Sequence, residues 1–425
     1  MLKSHKYWLG LFWLVTIFIL PLPLIITLAH GLSGTINQSE LFASQLGSIA
    51  YVWMLFSIMV SEKPKWLDSL IGLPEMYFTH GVMGCTAILF SFIHKELLHS
   101  YGAIALTGNI ALYLFIGIAL YSIIFLSGWI TSHFSLLGHI KKKLEKIFRY
   151  ETSVWIHKLN LVATLFVFGH VILIDYIRSI SSFMFWFYLY SILTACVYIY
   201  MKTIKKVLYH SGKLIGNQKL SHNITELRIH ITHRASFKAG DYAFISFPEV
   251  SGMKEPHPFS IVNYNSKKRT LTFAIRNQAD FTKNINHLKL GSKVIIDGSY
   301  GRLYHAVKEH EPNDLILIGS GIGSVPLISL AINLQNSRPI TFIRIASKEE
   351  DLIYEAELIN IANKNTKFIY HSQIGRLTTE QIIKLYSKEG FYLIGGSPQM
   401  MRGTKKLLMN GGVNRAQIYG EKFNF

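Results

Sequence analysis

The chain has 425 residues, half of them hydrophobic, and a mean hydropathy of +0.28, so part of it belongs in lipid. That length leaves room for two or three domains. The net charge of +18 invites a nucleic-acid partner, yet the charge lies beside apolar runs and no nucleic-acid-binding signature accompanies it, which argues against one.

Six apolar runs are predicted to span a bilayer: Trp8–Ala29, Leu41–Val60, Met76–Phe92, Ala103–Leu126, Val154–Ile174 and Phe183–Met201. The first is longer than the apolar core of a signal peptide, about 7–15 residues, and is read as a span. With the N-terminus inside, Lys3, Lys6, Lys63, Lys65, Lys141, Lys142, Lys143, Lys146, Arg149, Lys202, Lys205 and Lys206 fall on the cytoplasmic side. Only Lys95 and Arg178 fall outside, a strong positive-inside bias. The basic stretch His139–Arg149 serves either as an orientation signal or as a docking surface for the soluble half. Cys85 and Cys196, the two cysteines, both lie in spans and offer neither a disulfide framework nor a zinc site.

Beyond Lys202 the pattern turns to strands. Leu227, Ile229 and Ile231 alternate with polar residues, as do Leu271, Phe273 and Ile275. Tyr242–Phe247 and Val294–Ile296 add further strands, and the set predicts a small antiparallel barrel. From Asp314 strands alternate with helices: strand Leu315–Ile318, helix Val325–Leu334, strand Ile340–Ala346, helix Glu355–Ala362, strand Phe368–His371, helix Gln381–Tyr386 and strand Phe391–Ile394. This is the pattern of a parallel α/β nucleotide-binding domain. The expected domains are residues 1–206 (six-helix membrane bundle), 207–311 (barrel) and 312–425 (α/β).

Ionisable side chains in a span are costly and mark functional sites. His80 and His94 belong to the third span region, His157 and His170 to the fifth. Fourteen residues separate the first pair, about 21 Å of helix, and return it to within about 40° of one face. Thirteen separate the second, about 19.5 Å, which leaves those rings about 140° apart on a regular helix. Local tightening of the helix, or ligands approached from different sides, would be needed. The two spans run in one direction, so His80 should face His157 near the cytoplasm and His94 should face His170 near the outside. A lone histidine would read as a helix-packing hydrogen bonder; two pairs at matching depth read as axial ligands of two stacked haems. His30 and His99 lie near the outer surface.

Three short motifs follow in the barrel region: His257-Pro258-Phe259-Ser260, Asp280-Phe281-Thr282 and Gly298-Ser299-Tyr300-Gly301. In the α/β region Gly319-Ser320-Gly321-Ile322-Gly323-Ser324-Val325-Pro326 follows a strand and opens a helix, where backbone amides and the helix N-terminus suit a phosphate. Together with the histidine pairs, these motifs resemble the NADPH oxidase and ferric reductase superfamily over nearly the whole chain, closest in layout to a minimal prokaryotic NADPH oxidase.

That resemblance implies a ferredoxin-reductase-like soluble half: an FAD-binding barrel followed by a domain for NADPH, with NADH possible. It implies two b-type haems on His80, His94, His157 and His170. It places His257 near the flavin phosphates and Phe259 near the isoalloxazine, with Pro258 between them also binding the cofactor. Ser260 would sit at the flavin's reactive edge, with Thr282 near the pyrophosphate and Gly301 in the turn closing the barrel. Gly319, Gly321, Gly323 and Pro326 would form the nicotinamide loop. Arg344 and Ser347, at the end of the second α/β strand, and Arg376 would meet a 2′-phosphate; Glu349, Glu350 and Asp351 nearby keep NADH open. Gly395 stands where many relatives carry a cysteine, beside Gly396 at the nicotinamide turn. Phe425 matches a C-terminal aromatic that covers the flavin and moves for nicotinamide, so Phe425 and Ser260 are the candidate catalytic residues.

The implied activity is that of a superoxide-producing NADPH oxidase in a bacterial cell membrane, with the N-terminus and soluble half cytoplasmic and no obligatory regulatory subunit. The same electron path would serve a ferric or other metal-chelate reductase. Oxidases place a basic residue beside the outer haem; the second span has no Arg, and His99 is the candidate. A haem carrier or sensor with a vestigial reductase is disfavoured by the complete set of flavin and nicotinamide motifs.

Overall fold

A computed structural model describes residues 5–125, 150–204, 209–278, 280–378, 380–381, 387 and 389–421. The stretch 139–149, most of 381–386 and Phe425 lie outside the described residues. The chain divides into two compact units, one of residues 6–64 and 75–204, the other of residues 1–5, 65–74 and 205–425.

Among the described residues the first unit holds six helices long and apolar enough to cross a membrane: Tyr7–Leu32, Gln38–Ser61, Leu73–Leu97, Gly102–Phe125, Thr152–Leu173 and Ser181–Lys202. The third extends past the apolar run predicted at Met76–Phe92 and carries His94 on a continuous helix. Apolarity marks the part suited to lipid, whereas the hydrogen-bonded turns run on through His94-Lys95-Glu96. Inside the first span, Val15–Ile19 forms a π turn in which the Leu20 amide donates to Val15 O at 2.9 Å. Pro21 and Pro23 have no N–H to continue the ladder, and the Trp53 indole donates to Thr16 O at 3.1 Å. Leu24, Leu28, Tyr51, Leu55, Phe183 and Phe187 form one apolar core of this unit. Ala50, Trp53, Met83, Ala87, Ala111, Phe115 and Ala163 form another, rich in the small residues that let helices approach closely.

The fifth span is not one regular helix. It consists of Tyr150–Lys158 and Asn160–Leu173, joined at Leu159. The Leu159 amide bonds Ile156 O three residues back, a tighter turn of about 120° per residue against about 100° in an α-helix. The extra rotation falls between His157 and His170, in the sense their thirteen-residue spacing requires.

In the second unit the strands β1 (His210–Ser221), β2 (Ile224–Ile231), β3 (Tyr242–Ser246), β4 (His257–Asn265), β5 (Thr270–Arg276) and β6 (Lys293–Tyr300) close an antiparallel barrel in the order β1-β2-β5-β4-β3-β6. The alternating residues Leu227, Ile229 and Ile231, with Phe273, Val294 and Ile296, fill its interior. Strands β7 (Asp314–Ser320), β8 (Ile340–Ala346), β9 (Phe368–Ile374), β10 (Gly390–Gly395) and β11 (Ile418–Tyr419) form a parallel sheet in the order β11-β10-β7-β8-β9. Leu315–Ile318 and Phe391–Ile394 are buried throughout, as continuous apolar strands covered on both faces must be. One core cluster joins Val262 and Ala274 of the barrel to Leu317, Leu327 and Phe342. The fold is therefore a six-helix bundle, an antiparallel barrel and an α/β sheet of ferredoxin-reductase-like type.

Candidate functional site

Within the helical unit the four histidines meet in two pairs. Ring centroids lie 5.7 Å apart for His80 and His157, and 6.3 Å apart for His94 and His170. Every Nδ1 has a partner on a neighbouring helix: Ser57 O at 3.0 Å for His80, Ala43 O at 2.8 Å for His94, Ile104 O at 2.9 Å for His170 and Ser122 Oγ at 2.8 Å for His157. A carbonyl can only accept, so in His80, His94 and His170 Nδ1 carries the proton and Nε2 keeps its lone pair, the tautomer a metal ligand needs; the Ser122 hydroxyl can accept from His157 Nδ1–H in the same tautomer.

Two glycines make room for the rings. A Cβ on Gly47 would lie 2.9 Å from His94 Nδ1, and one on Gly108 would lie 3.1 Å from the His170 ring. Neither glycine nor the acceptor residues stand out in the sequence; a glycine facing a histidine on the next span is the signal that could have found them. A cavity of about 400 Å³ is lined by His94, His170, Gly47, Gly108, Tyr51 and Phe187, and extends to Lys95, His99, Glu40 and Tyr176. Tyr176 donates to Glu40 Oε2 at 2.5 Å.

Among the described residues no group of three or more His, Cys, Asp or Glu is arranged to hold a metal ion. Paired imidazoles with free Nε2 atoms suit a metal that brings its other donors with it, and haem iron is such a metal. The residues present therefore fit the group.

In the second unit β4 begins with His257, opposite Ile245, and Ser260 pairs with Tyr242 of β3. The His257 ring sits 4.3 Å from Phe281, and Phe259 stacks on the same ring at 5.8 Å. Pro258, Phe259 and Ser260 are half-buried. Thr282 Oγ1 accepts from the Gln278 amide at 2.9 Å, so part of its bonding capacity closes the local turn. The Gly301 amide donates to Asp68 Oδ2 at 3.2 Å.

Gly319 lies in β7, Gly321 and Gly323 in the turn Gly321–Ser324, and Pro326 in the first turn of helix Val325–Leu334. A Cβ on Gly323 would stand 2.6 Å from Gly396 Cα, so the two glycine turns touch through backbone alone. A Cβ on Gly321 would stand 3.1 Å from a guanidinium nitrogen of Arg276, at the end of β5, so the barrel edge lies beside this turn. The backbone amides of such a turn form a cradle for phosphate at a helix N-terminus.

Arg344 departs from its expected place. It is 1% exposed; its guanidinium donates to Ile353 O at 2.5 Å and to Ser324 Oγ and Asp351 O at 3.3 Å. It braces the glycine turn from beneath rather than presenting a cation to a 2′-phosphate. Ser347 and Arg376 are exposed, and Lys348 lies beside Ser347, 3.7 Å from Glu350.

Sequence reading missed Arg302, which is 1% exposed. Its guanidinium donates to Ser69 O and Leu70 O at the end of helix Lys65–Ile71, and to Glu309 at 2.7 Å. Its amide donates to Glu421. An arginine just after a glycine turn carries no distinctive pattern.

An FAD-binding domain model matches residues 209–304. The gamma subunit of sulfhydrogenase 1 from Pyrococcus furiosus is 31% identical over 132 residues, 30% of this chain and 44% of that protein. Respiratory burst oxidase homolog protein F from Arabidopsis thaliana is 23% identical over 235 residues, 49% of this chain and 22% of that protein. The chain thus spans less than half the length of either relative. The crystal structure of flavohemoglobin from Malassezia yamatoensis with bound FAD and heme covers 94% of this chain and 99% of its own, at TM-score 0.50 and 15% identity, a likeness of fold alone. With a matched FAD-binding domain, similarity to a respiratory burst oxidase homolog and the order of bundle, barrel and α/β sheet, the chain is similar to the NADPH oxidase and ferric reductase superfamily.

Proposed function

We propose that the chain is a transmembrane electron-transfer oxidoreductase that takes electrons from cytoplasmic NADPH and delivers them to dioxygen on the outer side of a bacterial membrane, producing superoxide. The observation that carries this reading is the set of four intramembrane histidines whose Nδ1 atoms are all engaged, leaving paired Nε2 donors. When bound, FAD and two b-type haems would supply the conversion of a hydride into single electrons and their passage across the bilayer.

The chain's own residues bind and orient. His80 with His157 would hold one iron, and His94 with His170 the other. His257, Pro258 and Phe259 would flank the flavin, Ser260 would hydrogen-bond its reactive edge, and Thr282 and Gly301 would shape its phosphate side. Gly319, Gly321, Gly323, Pro326 and Gly396 would seat the nicotinamide nucleotide. Ser347 and Arg376 would meet the 2′-phosphate of NADPH, a role in which Arg344 takes no part. Phe425 would cover the flavin until nicotinamide displaces it. One hydride carries two electrons, so each NADPH would reduce two dioxygen molecules and release one proton.

The test is NADPH-driven reduction of cytochrome c by the purified, cofactor-loaded protein in air, with and without superoxide dismutase. Strong inhibition by the dismutase is expected. Activity indifferent to it would refute superoxide as the product and turn attention to ferric chelates.

A further inference from the structure

Three of the four imidazoles donate to backbone carbonyls, which no substitution can remove. The fourth is different: His157 Nδ1 lies 2.8 Å from a side-chain hydroxyl, that of Ser122. One residue before it, the Tyr121 hydroxyl is 2.9 Å from Ser153 Oγ. Ser153 and His157 are four residues apart on helix Tyr150–Lys158 and share one face. Two adjacent hydrogen bonds thus fasten the fourth span to the fifth where His157 is set.

The partner of a ligand's second nitrogen tunes the metal. An amide carbonyl draws the N–H proton more strongly than a hydroxyl oxygen does. The imidazole then becomes more electron-rich at Nε2 and favours the oxidised iron. The His94–His170 site has two carbonyl partners, whereas the His80–His157 site has one carbonyl and one hydroxyl.

We propose that Ser122 is a positioning residue that orients His157 and sets the reduction potential of the haem at the His80–His157 site apart from that of its neighbour. This rests on haem ligation by the four histidines. Nothing else in the two ligand sets distinguishes one iron from the other by side-chain chemistry, since all four ligands are histidine.

The experiment is a spectroelectrochemical titration of the full-length haem-loaded protein and of Ser122→Ala, Ser122→Thr and Tyr121→Phe. Removing the hydroxyl deprives Nδ1–H of its acceptor and weakens donation to iron. One midpoint should therefore move upward in Ser122→Ala while the other stays, with Ser122→Thr restoring the original value. Tyr121→Phe, which loosens the adjacent bond without touching His157, should leave both midpoints in place. Loss of one low-spin haem signal from Ser122→Ala alone would also support the assignment, because it shows the hydroxyl orienting the ligand. Unchanged midpoints and spectrum in Ser122→Ala, equal movement of both midpoints, or the same shift in Tyr121→Phe would overturn it. Failure of the ligation reading is separately visible: the unsubstituted protein would then show no bis-imidazole haem spectrum at all.

Discussion

Asp68, Asp241 and Glu421 gather around the amides of Gly301 and Arg302, in a region with little access to water. Burial, with a smaller repulsion from Asp68, pushes Asp241 up to about 7 and Glu421 up to about 8, and burial alone raises Asp68. The folded protein therefore holds protons that the unfolded chain releases in the ordinary carboxylate range near pH 4. Stability present at low pH is lost as pH climbs from that range through about 8. The thermal midpoint of the purified protein should fall between pH 5 and pH 9. In Glu421→Gln, which keeps an acceptor for the Arg302 amide, the fall should be shallower; an identical fall would refute the assignment. These groups illustrate what the sequence leaves unread. The histidines stand out by spacing and by the cost of polar groups in a span, whereas carboxyls that meet from residues 68, 241 and 421 share no local pattern. Arg344 misleads for a related reason: a basic residue at a strand end suits a phosphate equally well whether it points to solvent or into the core, and only packing decides.

Secondary-structure elements are legible where apolar residues repeat with a fixed period. The barrel strands follow from alternation and the parallel strands from short buried runs. The break at Leu159 has no such sign, since neither glycine nor proline marks it and a single tightened hydrogen bond produces it. Helix Lys65–Ile71 is likewise held by a distant residue, as Arg302 caps its final carbonyls. Arg302→Ala would leave Glu309 without its cationic partner and the Ser69 and Leu70 carbonyls without their donor, a loss of about 3–5 kcal/mol by the usual effect of breaking a buried pair. The expected result is a lower thermal midpoint together with new tryptic cleavage at Lys65. Unaltered cleavage would show that other contacts hold this helix.

At the scale of the molecule, charge placement gives the proposed function a direction. In the proposed orientation the lysines and arginines flanking the spans gather on the cytoplasmic side and leave Lys95 and Arg178 outside. NADPH does not cross a bilayer, so inside-out vesicles carrying the protein should oxidise added NADPH whereas intact spheroplasts should not. Equal rates in both preparations would contradict the assigned orientation. The division of the chain into units is the least legible level, because residues 65–74 separate two spans yet belong to the same unit as residues 205–425. No change in composition announces that.

The acceptors for His80 and His94 lie on the second span, and those for His157 and His170 on the fourth. Spans two and three therefore set two imidazoles between themselves, and spans four and five set the other two. As the chain enters the membrane from its N-terminus, each consecutive pair of helices can arrange its own ligands before the other pair is complete. Under the proposed ligation, assembly becomes the meeting of two finished halves, and haem would be held firmly only after the fifth helix is in place. A chain cut short after its third span should already orient its two histidines, yet have nothing to close against.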